Sequence, residues 1–208
     1  MTNTPAANWK LLWERLGKQG DFISTAQRAA LKDYCDLLHA ASARTNLIAP
    51  GDREEIATRH LLPSLYMGNL LRLVPNRTAI DFGSGSGIPG IPLKIVFPAI
   101  HFILVESRRK RANFLRNVVR QIGLTGVEIE NCRIEDLYKT KNRIADVVVT
   151  RAASDIENLW TLVSPVLKDH GVVLATLDRE RGYQHAVGVI VRQEFQSATQ
   201  THWFAIVR

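Results

Sequence analysis

Three glycines at alternate positions follow an apolar run and an aspartate in the segment Ala79–Gly90. Because Gly83, Gly85 and Gly87 lack a Cβ atom, the backbone can turn sharply there and a ligand can lie directly against it. The pattern therefore predicts a cofactor-binding loop. Taken alone, the spacing of Gly85, Gly87 and Gly90 also fits the G-x-G-x-x-G signature of dinucleotide-binding proteins.

Two residues of this segment favour a cationic cofactor over a dinucleotide. Asp81 ends the apolar run, where its carboxylate would face the phosphates of a dinucleotide, and Pro89 removes one N–H group from the expected anion site. S-adenosylmethionine carries a sulfonium and an amino group, and an acidic side chain attracts both. We therefore interpret the segment as an S-adenosylmethionine loop, with Asp81 and the three glycines among its contacts.

A second acidic residue, Glu106, ends the next apolar run, His101–Val105. It follows the glycines by about the interval at which a βαβ unit places a carboxylate on the two ribose hydroxyls. The alternative is that Glu106 caps a helix that begins near Ser107, since acidic residues are common at helix starts. The glycine loop upstream favours the ribose role.

The elements that must position these residues fall into two parts. The first part is helical, with apolar stripes at i, i+3, i+4 and i+7 from Trp9 to Leu16 and from Leu31 to Leu38. Pro50-Gly51 interrupts the pattern, and Asp52-x-x-Glu55 resembles a capping box.

From Arg77 onward, apolar runs alternate with helical segments, which is typical of a doubly wound parallel sheet. The predicted strands are 77–82, 100–105, 127–130, 145–150 and 171–177, and the predicted helices include 109–122 and 155–167. Two further strands, 188–191 and 202–207, would form an antiparallel edge pair. We expect a Rossmann-like, mostly parallel seven-stranded α/β sheet at 76–208, with an N-terminal helical extension at 1–75.

Ligands bind beyond the carboxyl ends of the strands in such sheets, so the residues after each strand are candidates for the site. Ile134 and Glu135 follow the third strand and could contact an adenine ring. Arg151 follows the fourth strand; although an isolated arginine is more often a surface ion pair, its place at the mouth of the site favours a functional role.

Composition limits the compartment and the partners. The chain has 208 residues, a formal net charge of +7, and two cysteines, Cys35 and Cys132, without the spacing of a zinc site. We expect a cytoplasmic protein, a monomer, with no metal site and no membrane-spanning segment.

A basic run after Glu106 could bind phosphates, or could simply be a solvated helix face. It comprises Arg108, Arg109, Lys110, Arg111, Arg116 and Arg120.

Motifs throughout the chain resemble the bacterial 16S ribosomal RNA guanine-N7 methyltransferase family, also called glucose-inhibited division protein B. The matching residues are Thr45-Asn46-Leu47, Arg59-His60-x-Leu62-x-Ser64-Leu65, Asp81-x-Gly83-Ser84-Gly85-x-Gly87-x-Pro89-Gly90-Ile91-Pro92, Glu106-Ser107 with Lys110-Arg111 and Phe114-Leu115, Arg133-x-Glu135, and Arg151-Ala152. Gly-x-Pro-Gly-Ile-Pro is far more specific than G-x-G-x-x-G, and the resemblance covers most of the chain.

The resemblance implies a class I methyltransferase fold and S-adenosylmethionine as the cofactor. It implies cofactor contacts at Gly83, Ile88, Ile134, Glu135 and Arg151, with Glu106 on the ribose. It also implies that Arg59, His60 and Ser64 lie near the acceptor and position it. His60 could instead have a structural role, as a single histidine after a helical segment often does.

Two positions depart from the family pattern. Pro63 stands where the family usually has aspartate, and Leu177-Asp178 stands where it usually has Lys-Gly. Three functions therefore stay open: a methyltransferase acting on guanine N7 of 16S ribosomal RNA, a methyltransferase with another RNA or small-molecule acceptor, and a non-catalytic RNA-binding assembly protein. The first is favoured. Guanine N7 presents a lone pair in its neutral form, so the reaction requires alignment rather than a general base.

Overall fold

A computed structural model of the chain describes residues 8–72, 77–151, 156–177, 189–196 and 201–207. Its α-helices are α1 (Trp9–Leu16), α2 (Thr25–Thr45), α3 (Leu62–Leu71), α4 (Gly90–Val96), α5 (Arg109–Ile122), α6 (Ile134–Thr140) and α7 (Ile156–Val163). Its strands are β1 (Thr78–Phe82), β2 (His101–Val105), β3 (Val127–Glu130), β4 (Ala145–Thr150), β5 (Leu167–Leu177), β6 (Val189–Gln196) and β7 (Thr201–Val207). Short 3-10 segments at Gly17–Gly20, Pro50–Glu55 and Ser164–Val166 and a π-helix at Ile56–Leu61 complete the helical elements.

The strands form one sheet in the order β3-β2-β1-β4-β5-β7-β6. β1 to β5 pair in parallel, whereas β7 pairs antiparallel with both β5 and β6. The predicted parallel sheet is confirmed, and the last two strands form the expected antiparallel edge. The strand order reverses between β1 and β4, so the loops that leave these two strands open a crevice, where ligands bind in such folds.

Helix α7 is shorter than the sequence suggested. The prediction was a helix over 155–167, but α7 ends at Val163 and a 3-10 turn follows at Ser164–Val166. Pro165 explains the difference, because proline lacks the N–H group that an α-helix needs and its ring clashes with the preceding turn. Leu167 is therefore the first residue of β5, four residues before the predicted start. Asp155 and Gly188, two predicted boundary residues, lie outside the described residues.

The side chains of the central strands alternate between two apolar layers. Ala79 packs in the layer that also contains α2, α4 and α5, whereas Ile80 packs in the layer that contains α6 and α7. Asp81 points to the same side as Ala79, because side chains two positions apart share a face of a strand. This alternation directs the aspartate toward the start of α4.

The N-terminal helices cover the α4 and α5 side of the sheet. The predicted stripes bury Leu12 and Leu16 on α1 and Leu31, Tyr34, Cys35 and Leu38 on α2. Helix α2 begins with a capping box of Ser24 and Gln27. The Gln27 side chain also donates to the backbone carbonyls of Ile95 and Val96, at 3.0 and 2.9 Å, which ties α2 to the end of α4.

The capping box predicted for Asp52 and Glu55 is wrong. No side-chain cap forms at the start of the Pro50–Glu55 segment or of the π-helix that follows it. Both carboxylates instead pair with Arg59, seven and four residues later in the chain. An ionised guanidinium is a stronger partner for a carboxylate than a neutral backbone N–H group.

Within the described ranges, no helix has the length and the apolar character needed to cross a bilayer. The same ranges contain no cluster of three or more histidine, cysteine, aspartate or glutamate side chains that could hold a metal ion.

Candidate cofactor and acceptor site

The three glycines of the predicted loop all adopt positive φ angles, at which other residues are strained. The angles are +70° at Gly83, +56° at Gly85 and +95° at Gly87. A Cβ atom on Gly87 would lie 2.7 Å from the Ile91 side chain, whereas one on Gly83 would meet nothing within 4 Å. Core packing therefore requires Gly87, while the space beside Gly83 is open to a ligand.

Hydrogen bonds from three parts of the chain hold the loop in place. The backbone N–H of Ser84 donates to the Val105 carbonyl at 3.0 Å, and the Ser84 hydroxyl donates to the Asp81 carbonyl at 2.9 Å. The Tyr34 hydroxyl, on α2, donates to the Ser86 carbonyl at 2.8 Å. The sequence placed Tyr34 only in an apolar stripe, because the stripe pattern does not show where its hydroxyl reaches.

Asp81 is buried behind the loop and uses one carboxylate oxygen to fix the start of α4. The Gly90 N–H donates to Asp81 Oδ2 at 3.1 Å, and a Cβ on Gly90 would lie 2.5 Å from the same oxygen. Among the described residues, Oδ1 has no hydrogen-bond partner although it is also buried. Burial raises the pKa of Asp81 to about 7, against the opposing effects of the Gly90 N–H, the Ser84 hydroxyl and the Arg151 guanidinium.

Glu106 is also buried, and both of its carboxylate oxygens accept backbone hydrogen bonds. The Gly85 N–H donates to Oε2 at 2.9 Å, and the Arg108 N–H donates to Oε1 at 2.7 Å. Arg108 precedes the first residue of α5, so Glu106 links the glycine loop to the approach of the helix rather than capping the helix interior. Each oxygen keeps a second lone pair that can accept from a ligand hydroxyl.

A cleft of about 270 Å³ opens beside these residues. It is lined by Phe82, Gly83, Val105, Glu106, Ser107, Cys132, Arg133, Ile134 and Glu135. Four of the predicted cofactor contacts therefore meet at one cleft, namely Gly83, Glu106, Ile134 and Glu135. Asp81, Gly85, Gly87, Ile88 and Arg151 do not line it. The Ile88 side chain is 4% exposed and packs in the core, so a ligand could reach this residue only through its backbone.

The Arg59-His60 motif lies on the π-helix, a rare form of backbone that occurs often at functional sites. The exposed Arg59 side chain pairs with Glu55 and, at 2.8 Å, with Asp52. Ser64 is buried, and its hydroxyl donates to the His60 carbonyl at 2.9 Å. Ser64 therefore acts on the backbone that carries His60. Pro63 occupies one of the first two positions of α3, where a helix tolerates proline.

His60 connects this motif to β4. The Arg151 Nη1 lies 2.8 Å from the His60 Nδ1. Because a guanidinium can only donate, Nδ1 must be the acceptor and the ring proton must lie on Nε2. Burial and the nearby Arg151 charge lower the pKa of His60 to about 4, so the ring is neutral near pH 7.

Arg151 lies at the carboxyl end of β4 and is mostly buried. It therefore does not form the isolated surface ion pair that the sequence left as the alternative. Burial lowers the pKa of its guanidinium, and the carboxylates of Asp81 and Asp52 oppose that effect. It thus lies between the glycine loop and the Arg59-His60 motif. The sequence suggested Asp52 only as a helix cap, but its carboxylate contacts both Arg59 and His60, and the local spacing gave no signal of this.

The basic run on α5 separates into two groups. Arg108, Arg109, Lys110, Arg116 and Arg120 are exposed, whereas Arg111 is half-buried with its Nη1 3.7 Å from where a Gly85 Cβ would lie. Positions 109, 116 and 120 fall on one stripe of the helix. Arg116 and Arg120 rim a surface groove that continues over Val119 and the edge strand β3.

Residues 27–186 match the protein family described as rRNA small subunit methyltransferase G. The chain belongs to this family. Curated relatives from the rRNA small subunit methyltransferase G family support the assignment. The relative from Chloroflexus aggregans is 36% identical over 173 residues, which are 82% of this chain and 72% of that protein. The relative from Streptococcus pneumoniae serotype 19F is 34% identical over 170 residues, which are 80% of this chain and 71% of that protein.

Solved structures of more distant proteins share the fold of this chain. A structure titled as a SAM dependent methyltransferase from Aquifex aeolicus has a TM-score of 0.55 and 15% identity, over 80% of this chain and 98% of that one. The putative methyltransferase yhhF from Escherichia coli has a TM-score of 0.56 and 16% identity, over 70% of this chain and 85% of that one. These similarities establish the α/β methyltransferase fold with its parallel sheet.

Proposed function

We propose that this protein is an S-adenosylmethionine-dependent methyltransferase that methylates N7 of a guanine in 16S ribosomal RNA. The family match carries the proposal, because residues 27–186 include the Arg59-His60 motif, the glycine loop and Arg151. In this assignment residues 76–208 form the methyltransferase domain, and residues 1–75 form an extension that supports the glycine loop through Tyr34.

The residues present fit the proposed cofactor. The open space beside Gly83 lets a ligand approach the backbone, and the buried Asp81 Oδ1 offers an unpaired acceptor to a cationic amino group. Glu106 would accept from ribose hydroxyls, and Ile134 and Glu135 would flank the adenine. When bound, S-adenosylmethionine supplies a methyl carbon made electrophilic by the sulfonium.

The acceptor side fits a reaction that needs no general base. Guanine N7 carries an in-plane lone pair in the neutral base, and the neutral His60 ring already uses Nδ1 to accept from Arg151. We assign Arg59 and His60 to positioning the acceptor, and Ser64 to holding the His60 backbone. Alignment of a nucleophile with the atom it attacks can supply several kcal/mol, about 7 or more in well-oriented systems.

Methyl transfer from labelled S-adenosylmethionine to unmodified small-subunit ribosomal RNA or particles, followed by mass-spectrometric mapping, tests this function. The expected product is 7-methylguanosine at one position of 16S ribosomal RNA. Methylation at another atom or on another acceptor would support the alternative substrates that Pro63 and Leu177 leave open. Calorimetry that detects no binding of S-adenosylmethionine would instead favour a non-catalytic RNA-binding protein.

Cofactor affinity should depend on pH through Asp81. Since the pKa of this carboxyl is raised to about 7, we expect affinity to increase by up to about eightfold between about pH 6 and pH 7.5, as the carboxylate forms opposite a cationic ligand. This pKa lies above the ordinary value of 3.8 for an aspartate side chain, so the folded state holds the proton more tightly than the unfolded chain does. The free energy of unfolding without cofactor should therefore fall as pH rises from about 4 to 7.

Asp81→Asn provides the test of this pH dependence by calorimetry and chemical denaturation. The variant keeps an oxygen that can accept from Gly90 but cannot ionise. Its affinity should be lower than that of the wild type and nearly constant over the same pH range. An unaltered pH profile in Asp81→Asn would assign the dependence to another group.

We propose that the exposed arginines of α5 contact RNA phosphates. The double variant Arg116→Ala/Arg120→Ala should bind RNA more weakly, and the slope of log affinity against log salt should decrease by about 1.4 if each arginine contacts one phosphate of a single strand. The matched control is Lys10→Ala/Lys139→Ala, which removes two exposed charges that are paired locally with Glu14 and Asp136. Equal slopes for the two double variants would show that only net charge matters.

A further inference from the structure

Three side chains from separate segments form a continuous series of polar contacts beside the glycine loop. Asp52 Oδ2 lies 3.4 Å from His60 Nε2, and Arg151 Nη1 donates to His60 Nδ1 at 2.8 Å. The side chains of Asp52 and His60 are 25% and 14% exposed, so solvent screens their interaction only in part. The series ends at Arg151, which lies within the electrostatic influence of Asp81.

Arg151 determines which ring nitrogen of His60 carries the proton. Its guanidinium only donates, so His60 must carry its proton on Nε2, the nitrogen that faces Asp52. The Nε2–Asp52 contact is an electrostatic one, because Nε2 has no aligned hydrogen-bond partner among the described residues. A carboxylate that faces one ring nitrogen favours the tautomer with the proton on that nitrogen. Asp52 thereby leaves Nδ1 free to accept from Arg151.

The two oxygens of Asp52 serve different neighbours. Oδ1 pairs with Arg59 at 2.8 Å, whereas Oδ2 faces His60. Glu55 also pairs with Arg59, so that guanidinium has a second acidic partner. Among the described residues, Glu55 forms its ion pair with Arg59 and none with His60, and Asp52 is thus the acidic residue placed to act on the histidine.

We propose that Asp52 is a positioning residue that acts through His60 to hold the Arg151 guanidinium for the cofactor. The inference rests on the proposed function and on the cofactor contact that the family resemblance implies for Arg151. Without Asp52, the Nδ1-protonated tautomer of His60 becomes accessible, and that tautomer cannot accept from Arg151. The Arg151 guanidinium then loses His60 Nδ1 as its hydrogen-bond acceptor. It must instead be ordered when the cofactor binds.

The variants Asp52→Leu, Asp52→Asn and Glu55→Gln separate this role from general effects of charge. Asp52→Leu should bind S-adenosylmethionine about tenfold more weakly, and Asp52→Asn, which keeps an oxygen opposite Nε2 but loses the charge, should have an affinity between those of Asp52→Leu and the wild type. Glu55→Gln removes an acidic partner of Arg59 without reaching His60, so it should bind like the wild type. Equal affinities for Asp52→Leu and the wild type would overturn the proposal.

A double-mutant cycle shows whether the effect passes through His60. In a His60→Leu background, Asp52→Leu should cause no further loss of affinity. A full additional loss there would mean that Asp52 acts by another route, and would also overturn the proposal. Unfolding midpoints of all variants show whether altered stability, rather than position, explains the affinities.

Imidazole nitrogen NMR tests the tautomer without cofactor. In the wild type, His60 should remain neutral with its proton on Nε2 near pH 7, and Asp52→Leu should give a mixture of tautomers. A wild-type ring protonated on Nδ1 would overturn the proposal, whatever the protein binds. Failure of the wild type to bind S-adenosylmethionine, with the predicted tautomer present, would instead count against the proposed function.

Discussion

Gly83→Ala should weaken S-adenosylmethionine binding tenfold or more while the protein remains folded. The new methyl group would enter the open space beside the loop, where no described atom lies within 4 Å, and would exclude a ligand that packs against the backbone. The φ angle of +70° adds a strain of about 1 kcal/mol to the folded state. Isothermal titration calorimetry gives the affinity, and urea denaturation gives the stability.

Gly123→Ala is a closely matched control for this substitution. Gly123 follows the last residue of α5, has a φ angle of +73°, and also has no atom within 4 Å of a built Cβ. Both variants should lose a similar free energy of unfolding, and only Gly83→Ala should lose affinity. If both variants bind the cofactor equally well, the cofactor does not lie against Gly83.

The sequence predicted the parts of this fold that local periodicity determines. The limits of β3, β4 and α5 agree with the prediction. Strand β3 alternates with a period of two, β4 is a short apolar run, and α5 has a 3.6-residue period and is followed by Gly123. Parallel pairing of neighbouring strands then predicts that Gly83 and Glu106 lie close together, and the cleft contains both.

Local sequence patterns did not predict the side-chain contacts between elements that are distant in the sequence. Tyr34 lies 52 positions before its partner Ser86, and His60 lies 91 positions before Arg151. The apolar stripe containing Tyr34 predicts a buried face but not the carbonyl to which its hydroxyl donates. Asp52 and Glu55 have the spacing of a capping box, but both carboxylates pair with the Arg59 guanidinium instead.

Glycine spacing likewise did not separate a ligand contact from a packing requirement. Gly83 and Gly87 are equivalent in the sequence pattern, yet the space beside Gly83 is open and the space beside Gly87 is filled by Ile91 and Leu115. The difference arises from α4 and α5, which pack against one side of the loop. A substitution at Gly87 would therefore test the stability of the core more than cofactor binding.

Glu106→Ala should lower both stability and cofactor affinity. The carboxylate accepts from the backbone N–H groups of Gly85 and Arg108, and its removal leaves both donors without this partner. Since a hydrogen bond to a charged group contributes about 1.5 kcal/mol or more, we expect the free energy of unfolding to fall by about 3 kcal/mol. Loss of the proposed ribose contacts should weaken S-adenosylmethionine binding at least about tenfold.

Two further variants separate the ribose role of Glu106 from its support of the loop. Asn131→Ala removes hydrogen bonds from the Asn131 side chain to the carbonyls of Glu106 and Ser107, at 2.8 and 3.0 Å, but leaves the carboxylate in place. It should lose stability and keep cofactor affinity within about threefold of the wild type. Glu106→Gln keeps the size of the side chain but replaces one acceptor oxygen with a donor. If both ribose hydroxyls donate to the Glu106 carboxylate, replacing either oxygen should weaken cofactor binding. A Glu106→Gln protein with wild-type affinity would therefore exclude the ribose role and limit Glu106 to joining the glycine loop to α5.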